Sequence, residues 1–180
     1  GEVLQLTASA NLSTTGDVYL QVVRGKTAAL FAAACEVGGE IAGVPEDQIA
    51  ALRTYGDALG IAFQIADDLL DYGGDASQTG KNVGDDFRER KLTLPVIKAI
   101  AKADGDERAF WERTIQKGNQ RDKDLDEALR LIARHGTLEA TRGDALKWSG
   151  TAKKAMRRLP KHALRDTLID LADYVVARIS

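Results

Sequence analysis

Residues 63–71 place three carboxylates and one amide beside a strip of apolar side chains. Apolar residues in and around this segment recur at the i, i+4 spacing of a helix, so its polar residues are predicted to share the adjacent helix face. These polar residues are Gln64, Asp67, Asp68 and Asp71. Closely spaced carboxylate oxygens suit a hard cation such as Mg²⁺, which keeps several waters and takes phosphate oxygens as its other ligands. The segment therefore predicts a magnesium site.

The expected end of this helix makes the position of the carboxylates unusual. Gly73 and Gly74 are predicted to stop the helix, which leaves the three carboxylates in its last two turns. A helix C-terminus carries partial negative charge, so each carboxylate there is unfavourable by roughly 0.3–1 kcal/mol and a positive group is expected to compensate. The alternative interpretation is a solvated acidic stripe on an amphipathic helix, because charge runs usually lie at the surface.

The residues that follow favour a ligand site over the acidic stripe. A loop rich in glycine and small polar residues, predicted to be mobile and to extend to Asp86, carries Lys81 a few residues from the carboxylates. Arg88, Arg90 and Lys91 come next along the chain. Mg²⁺ can bridge carboxylate to phosphate while such cations neutralise the remaining phosphate charge. This order of residues is what a metal–diphosphate ligand requires.

The elements that must position these residues are predicted to be helices, since few β-branched alternating runs suggest strands. A turn at residues 13–17 offers N-cap residues for a helix that runs to about Glu40, and Gly25 inside it predicts a kink or a close approach. The helix with the carboxylates is predicted from Pro45 to about Tyr72. Further helices are predicted at about residues 2–10, 94–102, 107–117, 122–134, 137–159 and 164–179.

Three linked segments resemble the second aspartate-rich region of the trans-isoprenyl diphosphate synthases: residues 60–71, 80–86 and 90–95. The opening residues 1–6 resemble a mid-chain motif of that family, and residues 25–28 resemble its lysine–threonine motif. The order and spacing of the motifs fit through residues 1 to about 100. Within the family, the sequence looks like the long-chain polyprenyl synthases of the octaprenyl and decaprenyl type, which make quinone side chains.

The resemblance implies an all-α protein, an isoprenoid-synthase-type helical bundle. The family's first aspartate-rich motif, DDxxD with two nearby arginines, has no counterpart in this sequence. The chain also begins with Gly1 and enters its first predicted helix without a capping residue. We therefore expect residues 1–180 to be the C-terminal portion of a single polyprenyl synthase domain. The alternative is a chain that pairs with a second subunit carrying the other half.

The activity implied by the resemblance is the Mg²⁺-dependent condensation of isopentenyl diphosphate with an allylic diphosphate. The allylic diphosphate ionises, the cation alkylates the double bond of isopentenyl diphosphate, and loss of a proton leaves a longer polyprenyl chain. The protein's task in such a reaction is to stabilise leaving-group charge and to keep water from the cation. The isolated chain is expected to be inactive without the half that carries the first motif.

Carried onto this sequence, the resemblance assigns three sets of roles. Metal binding, directly or through the metal's waters, falls to Asp67, Asp68 and Asp71. Diphosphate binding falls to Lys26, Lys81 and Lys91. Catalytic roles fall to Lys26, Thr27 and Gln64, with the oxygens of the last two facing the developing cation. Without the resemblance, Thr27 would be interpreted as an ordinary helix threonine bonded to a backbone carbonyl.

Two other classes of function remain open. One is a non-catalytic partner subunit of a heteromeric prenyl synthase, although an intact Asp, Lys and Gln set argues against lost catalysis. The other is a terpene cyclase, which shares the helical fold. Its second metal motif combines Asn or Asp with Ser or Thr and Glu, and residues 67–75 do not show that pattern. A family member is expected to form a homodimer.

Composition excludes several partners and sites. A formal net charge of −2 gives no overall attraction to nucleic acid, and the basic residues between 142 and 165 are interpreted as a solvated helix face. No apolar run approaches the ~20 residues of a transmembrane helix. Cys35 is the single cysteine, so no intrachain disulfide can form, which fits a reducing, cytoplasmic location.

Overall fold

The computed structural model describes residues 11–73 and 83–179. Both ranges are helical and contain no strand, which confirms the predicted all-α class. Their α-helices are α1 (Gly16–Val23), α2 (Ala29–Ile41), α3 (Glu46–Gly73), α4 (Asp85–Arg88), α5 (Leu94–Lys102), α6 (Gly105–Trp111), α7 (Asp124–Arg134), α8 (Thr137–Met156) and α9 (Ala163–Ala177). No helix of these ranges combines the length and the apolarity that a membrane crossing requires. The helix predicted at residues 2–10 lies outside the described residues.

A π-helical turn at Arg24–Ala28 joins α1 to α2. The N–H of Ala29 donates to the carbonyl of Arg24, five residues earlier. The chain enters α1 at Thr15, whose side chain accepts a hydrogen bond from the N–H of Val18 at 3.4 Å. The irregularity that the sequence predicts at Gly25 is therefore a π turn, a widening of the helix that often occurs at functional sites. A second π turn, Glu112–Gln116, extends α6.

Helix α3 lies at the centre of the fold and packs most extensively against α8 and α2. Its buried face follows the predicted i, i+4 pattern through Ile61, Ile65 and Leu69. One apolar cluster surrounds α3, and a second forms where Trp111 and Leu131 meet. Side chains of α5 enter both clusters, so α5 holds the segment that precedes it in a fixed position.

The structure corrects the prediction that residues up to Asp86 form a loop, because residues 85–88 form the short helix α4. The residue before it, Gly84, has a φ of +82°, a left-handed conformation that glycine adopts without steric strain. The N–H of Gly84 donates to the carbonyl of Asp71 at 2.8 Å, which ties the start of α4 to the end of α3. Residues 74–82, between these helices, lie outside the described residues.

Helix α2 and the first π turn approach α3 at two glycines. A Cβ atom on Gly56 would lie 2.4 Å from the carbonyl oxygen of Phe31, and one on Gly60 would lie 2.6 Å from the Cα of Ala28. Because these obstacles are backbone atoms, they cannot move aside as the end of a flexible side chain can. The two glycines therefore permit a backbone contact that seats the first π turn against α3.

We expect Gly60→Ala to lower the free energy of unfolding by about 1–3 kcal/mol, because the added methyl forces the first π turn away from α3. Gly143→Ala in α8 is the matched control, since a Cβ there meets nothing within 4 Å. That control should raise stability by about 0.5–1 kcal/mol through helix propensity. Urea unfolding followed by circular dichroism measures both changes. Equal effects of the two substitutions would contradict the backbone contact.

Candidate functional site

A cavity of about 300 Å³ opens between α1, the first π turn, α3 and the segment that joins α4 to α5. Its lining is mixed, with Val22, Val23 and Leu92 as the apolar part. The polar and aromatic hydroxyl part consists of Thr14, Tyr19, Lys26, Thr27, Gln64, Asp67, Asp68, Asp86, Lys91 and Thr93. Carboxylates, cations and hydroxyls therefore face one space.

Six of the eight site residues predicted from the sequence line this cavity: Lys26, Thr27, Gln64, Asp67, Asp68 and Lys91. They come from the π turn, from α3 and from the segment after α4. Asp71 is not among the lining residues, and Lys81 lies outside the described residues. Convergence of distant chain segments on one concave space is typical of a ligand site and is not required of a solvated stripe.

A continuous series of hydrogen bonds runs along one wall of the cavity. The hydroxyl of Tyr19 donates to Oδ2 of Asp68 at 2.6 Å, and Nε2 of Gln64 donates to Oδ1 of Asp68 at 3.0 Å. The hydroxyl of Thr27 donates to Oε1 of Gln64 at 2.9 Å. Both oxygens of Asp68 thus have protein partners, and the amide of Gln64 has one partner on each side.

Asp68 is the buried carboxylate of this wall, with 4% of its surface exposed. Burial raises the pKa of Asp68 to about 7, although the hydrogen bonds from Tyr19 and Gln64 favour its charged form and partly oppose the rise. The negative charges of Asp86 and Asp67 add to the increase. The site therefore holds a carboxylate whose ionisation is costly until positive charge arrives.

Asp71 is buried but faces a different partner from Asp68. Its Oδ1 and Oδ2 accept hydrogen bonds from the backbone N–H groups of Asp85 and Asp86, both at 3.1 Å. Burial raises its pKa to about 6, the charge of Asp86 adds to this, and the two backbone hydrogen bonds oppose it. In this arrangement Asp71 binds the first turn of α4, and its metal role stays a prediction.

Asp86 and Lys91, which also line the cavity, form an ion pair. Nζ of Lys91 lies 2.9 Å from Oδ1 of Asp86 and 2.7 Å from Oε2 of Glu89. Partial burial acts to lower the pKa of Lys91, but its hydrogen bonds to Glu89 and Asp86 outweigh burial and the pKa is raised. Lys91 is therefore a permanently charged group at the cavity wall.

The chemistry of these donors fits a hard divalent cation. Carboxylate oxygens of Asp67, Asp68 and Asp86 line one cavity, together with the amide oxygen of Gln64. Among the described residues, no group of three or more His, Cys, Asp or Glu side chains is arranged to hold a metal ion by itself. That combination suits Mg²⁺, which binds through one or two carboxylates and completes its octahedron with waters and substrate phosphate.

Sequence reasoning did not assign Tyr19 or Asp86 to the site. Tyr19 lies seven residues before Lys26, a spacing that places two residues on one helix face, so periodicity contained a signal. Asp86 stands within a segment that resembles the family motif, beside Asp85. The fold determines which of these two adjacent carboxylates faces the cavity.

The sequence model of the polyprenyl synthetase family matches residues 1–132. The chain belongs to this family. Its sequence is 38% identical over 179 residues to an all-trans-nonaprenyl-diphosphate synthase (geranyl-diphosphate specific) of Rhodobacter capsulatus, covering 99% of this chain and 54% of the relative. It is 40% identical over 178 residues to the octaprenyl diphosphate synthase of Escherichia coli strain K12, covering 99% of this chain and 55% of the relative.

Solved polyprenyl synthase structures share the fold. A decaprenyl diphosphate synthase from Rhodobacter capsulatus superposes with a TM-score of 0.94 at 67% identity, over 99% of this chain and 55% of that one. A polyprenyl synthase from Caulobacter crescentus CB15, complexed with calcium and isoprenyl diphosphate, superposes with a TM-score of 0.92 at 47% identity. The match covers 99% of this chain and 55% of that one. The family resemblance and the predicted fold are confirmed. The polyprenyl synthetase chain described here spans about half the length of these relatives.

We expect Asp68→Asn to stabilise the protein at pH 8 by on the order of 2 kcal/mol, because it removes a buried charge while its amide oxygen still accepts one of the two hydrogen bonds that Asp68 accepts. The folded pKa of Asp68, about 7, exceeds the unfolded value of about 3.9. The fold therefore favours the protonated form of Asp68. The stability that this form contributes is fully present below about pH 4 and is lost as pH rises through about 7, where Asp68 ionises in the folded protein.

The advantage of Asp68→Asn should consequently be largest at pH 8 and shrink as pH falls toward 4. Urea unfolding of both proteins across this range, without divalent metal, provides the measurement. A variant that is less stable than wild type at pH 8 would show that Asp68 is not a costly buried charge.

Proposed function

We propose that this chain supplies part of the active site of a trans-prenyltransferase that condenses isopentenyl diphosphate with an allylic diphosphate to make a polyprenyl diphosphate. The observation that carries the proposal is the single cavity in which Lys26, Thr27, Gln64, Asp67 and Asp68 meet. Membership of the polyprenyl synthetase family supports the proposal. The relatives described above, which are named nonaprenyl and octaprenyl diphosphate synthases, support it as well.

The diphosphate would bind where positive groups face the carboxylates. Asp67 and Asp68 would hold Mg²⁺, directly or through its waters, and when bound the ion would supply positive charge to the departing diphosphate. A relative complexed with calcium and isoprenyl diphosphate supports divalent metal use, and magnesium itself is our proposal. Lys26 and Lys91 would bind the remaining phosphate oxygens by charge-assisted hydrogen bonds.

The hydroxyl of Thr27 and the amide of Gln64 would stabilise the organic cation. Their oxygen atoms lie 2.9 Å apart, so one carbon centre could contact both dipoles. Val22, Val23 and Leu92 give the cavity an apolar part that excludes water from a reactive cation. The protein would thus orient fixed dipoles toward developing charge, the usual source of large rate gains.

The other candidate functions have weaker support. The named relatives are prenyl diphosphate synthases, and none of those described above is named a cyclase or a non-catalytic subunit. It stays a prediction that residues 1–180 form one portion of a single synthase domain. A cytoplasmic location also stays a prediction.

A homodimer also stays a prediction, and the surface of α2 is relevant to it. Leu30 and Ile41 on this helix are 75% and 83% exposed. Exposed apolar side chains on one helix are typical of a surface that another chain or segment covers. Sedimentation equilibrium would measure the association, and a strictly monomeric chain would contradict the homodimer.

We expect this chain to support synthesis when it replaces the matching segment of the Rhodobacter capsulatus decaprenyl diphosphate synthase, with which it is 67% identical. In that chimera, Asp67→Ala should lower turnover by at least about 100-fold, because the leaving-group charge loses its metal ligand. Incorporation of labelled isopentenyl diphosphate into polyprenyl product is the assay.

Asp47→Ala provides the control, because Asp47 is exposed in the first turn of the same helix, α3. It should leave turnover unchanged. Full activity of Asp67→Ala would remove Asp67 from the metal role. An inactive wild-type chimera, beside an active parent enzyme, would contradict the proposed function of the chain.

Inorganic pyrophosphate should bind this chain in the presence of Mg²⁺, and Lys26→Gln and Lys91→Gln should each weaken binding by about tenfold through loss of a charge-assisted hydrogen bond. Lys117→Gln is the control because Lys117 is exposed and does not line the cavity. Isothermal titration calorimetry measures the affinities. If both cavity variants bind as tightly as wild type, the diphosphate lies elsewhere.

A further inference from the structure

Tyr19 begins the series of hydrogen bonds that ends at Thr27. Its hydroxyl is 2.6 Å from Oδ2 of Asp68, and the tyrosine is 7% exposed. The contact joins α1 to α3 across 49 positions of the sequence. Tyr19 is thus held beside the cavity in the fold, although no function is assigned to it by the motifs of the sequence.

The direction of each hydrogen bond restricts the amide of Gln64. Both oxygens of Asp68 accept hydrogen bonds, so the NH₂ group of Gln64, which is the donor end of its amide, faces Asp68. The amide oxygen then faces the hydroxyl of Thr27, which donates to it at 2.9 Å. An amide has a second orientation of almost the same shape, with oxygen and nitrogen exchanged, and only its neighbours select between them.

The carboxylate of Asp68 can select one amide orientation only while its own rotation is restricted. The Tyr19 hydroxyl binds one carboxylate oxygen, which leaves the other directed at Nε2 of Gln64. Without Tyr19, a rotated carboxylate could approach other donors and the amide could turn over. The restriction is therefore passed from Tyr19 to Gln64 through Asp68.

We infer that Tyr19 is a positioning residue, which holds Asp68 and through it keeps the amide oxygen of Gln64 directed toward Thr27 and the cavity. The structural part of this inference needs no substrate. Its catalytic consequence rests on the proposed function, since the oriented oxygen would face the developing allylic cation.

Tyr55 offers a matched comparison for Tyr19. It is also a buried tyrosine, 1% exposed, and its hydroxyl also ties two helices by donating to the carbonyl of Leu168 at 2.8 Å. It does not line the cavity and does not contact Asp68. Tyr55→Phe therefore removes a buried interhelical hydrogen bond of the same kind but leaves the proposed positioning series intact.

The first experiment follows the side-chain NH₂ signal of Gln64 by ¹⁵N NMR in the ligand-free chain, with Gln64→Glu used to assign it. Tyr19→Phe should shift this signal and speed exchange of its protons with solvent by at least about tenfold, because the amide loses its fixed acceptor. Tyr55→Phe should leave both properties as in wild type. An unchanged Gln64 signal in Tyr19→Phe, or the same change in both variants, would overturn the inference.

The second experiment uses the chimera with the Rhodobacter capsulatus synthase and compares its affinity for geranyl diphosphate with its affinity for an analogue in which a protonated nitrogen replaces the cationic carbon. The oriented amide oxygen of Gln64 should favour binding of the positively charged analogue. Tyr19→Phe should therefore lower the affinity for the analogue by about 3–10-fold and change the affinity for geranyl diphosphate little. Equal weakening of both ligands would overturn the catalytic consequence. If the chimera without the Tyr19 substitution binds neither ligand while the parent synthase binds both, the proposed function fails, and the NMR result still decides whether Tyr19 positions Gln64.

Discussion

The backbone contact between α2 and α3 is the constraint on which the cavity depends. Gly56 and Gly60 let the chain segments approach until backbone atoms of α2 and of the first π turn fill the space of a missing Cβ. The first π turn lies at this crossing, and its residue Thr27 reaches within 2.9 Å of Gln64 on α3. A larger interhelical distance would separate the hydroxyl from the amide, because neither side chain is long enough to compensate.

The cavity combines this tight packing with unfavourable electrostatics. Burial raises the pKa of Asp68, and the carboxylates of Asp67 and Asp86 increase the effect. Such a cluster lowers the stability of the protein without ligand, yet it provides oxygens whose negative charge a cation would neutralise. Lys91 is directed into the same cavity by α4 and carries charge at all ordinary pH values. Opposite charges are thus kept close together in one cavity, as expected of a site that binds an ionic ligand.

Local sequence patterns predicted the helices well, because each depends on neighbours three or four residues away. The buried face of α3 follows from periodicity, and the start of α1 after Thr15 follows from capping. Gly25 indicated an irregularity, and the first π turn begins one residue before it, at Arg24. The same periodicity placed Asp71 on the face of Asp67 and Asp68. The structure adds that Asp71 accepts hydrogen bonds from α4, a contact that depends on how the chain returns after α3. The hydrogen bond between Tyr19 and Asp68, 49 residues apart, is equally beyond local pattern.

The carboxylates of the aspartate-rich segment differ in their surroundings, although their spacing suggests a single role. Asp67 lines the cavity, while Asp68 lines it with both oxygens bound by Tyr19 and Gln64. Asp71 instead receives the two N–H groups that begin α4, and its carbonyl accepts a third from Gly84. The positive group expected near the end of α3 is therefore, at Asp71, the N-terminus of another helix. Because α4 leads directly to Lys91, the contact between Asp71 and α4 also determines where Lys91 joins the lining of the cavity.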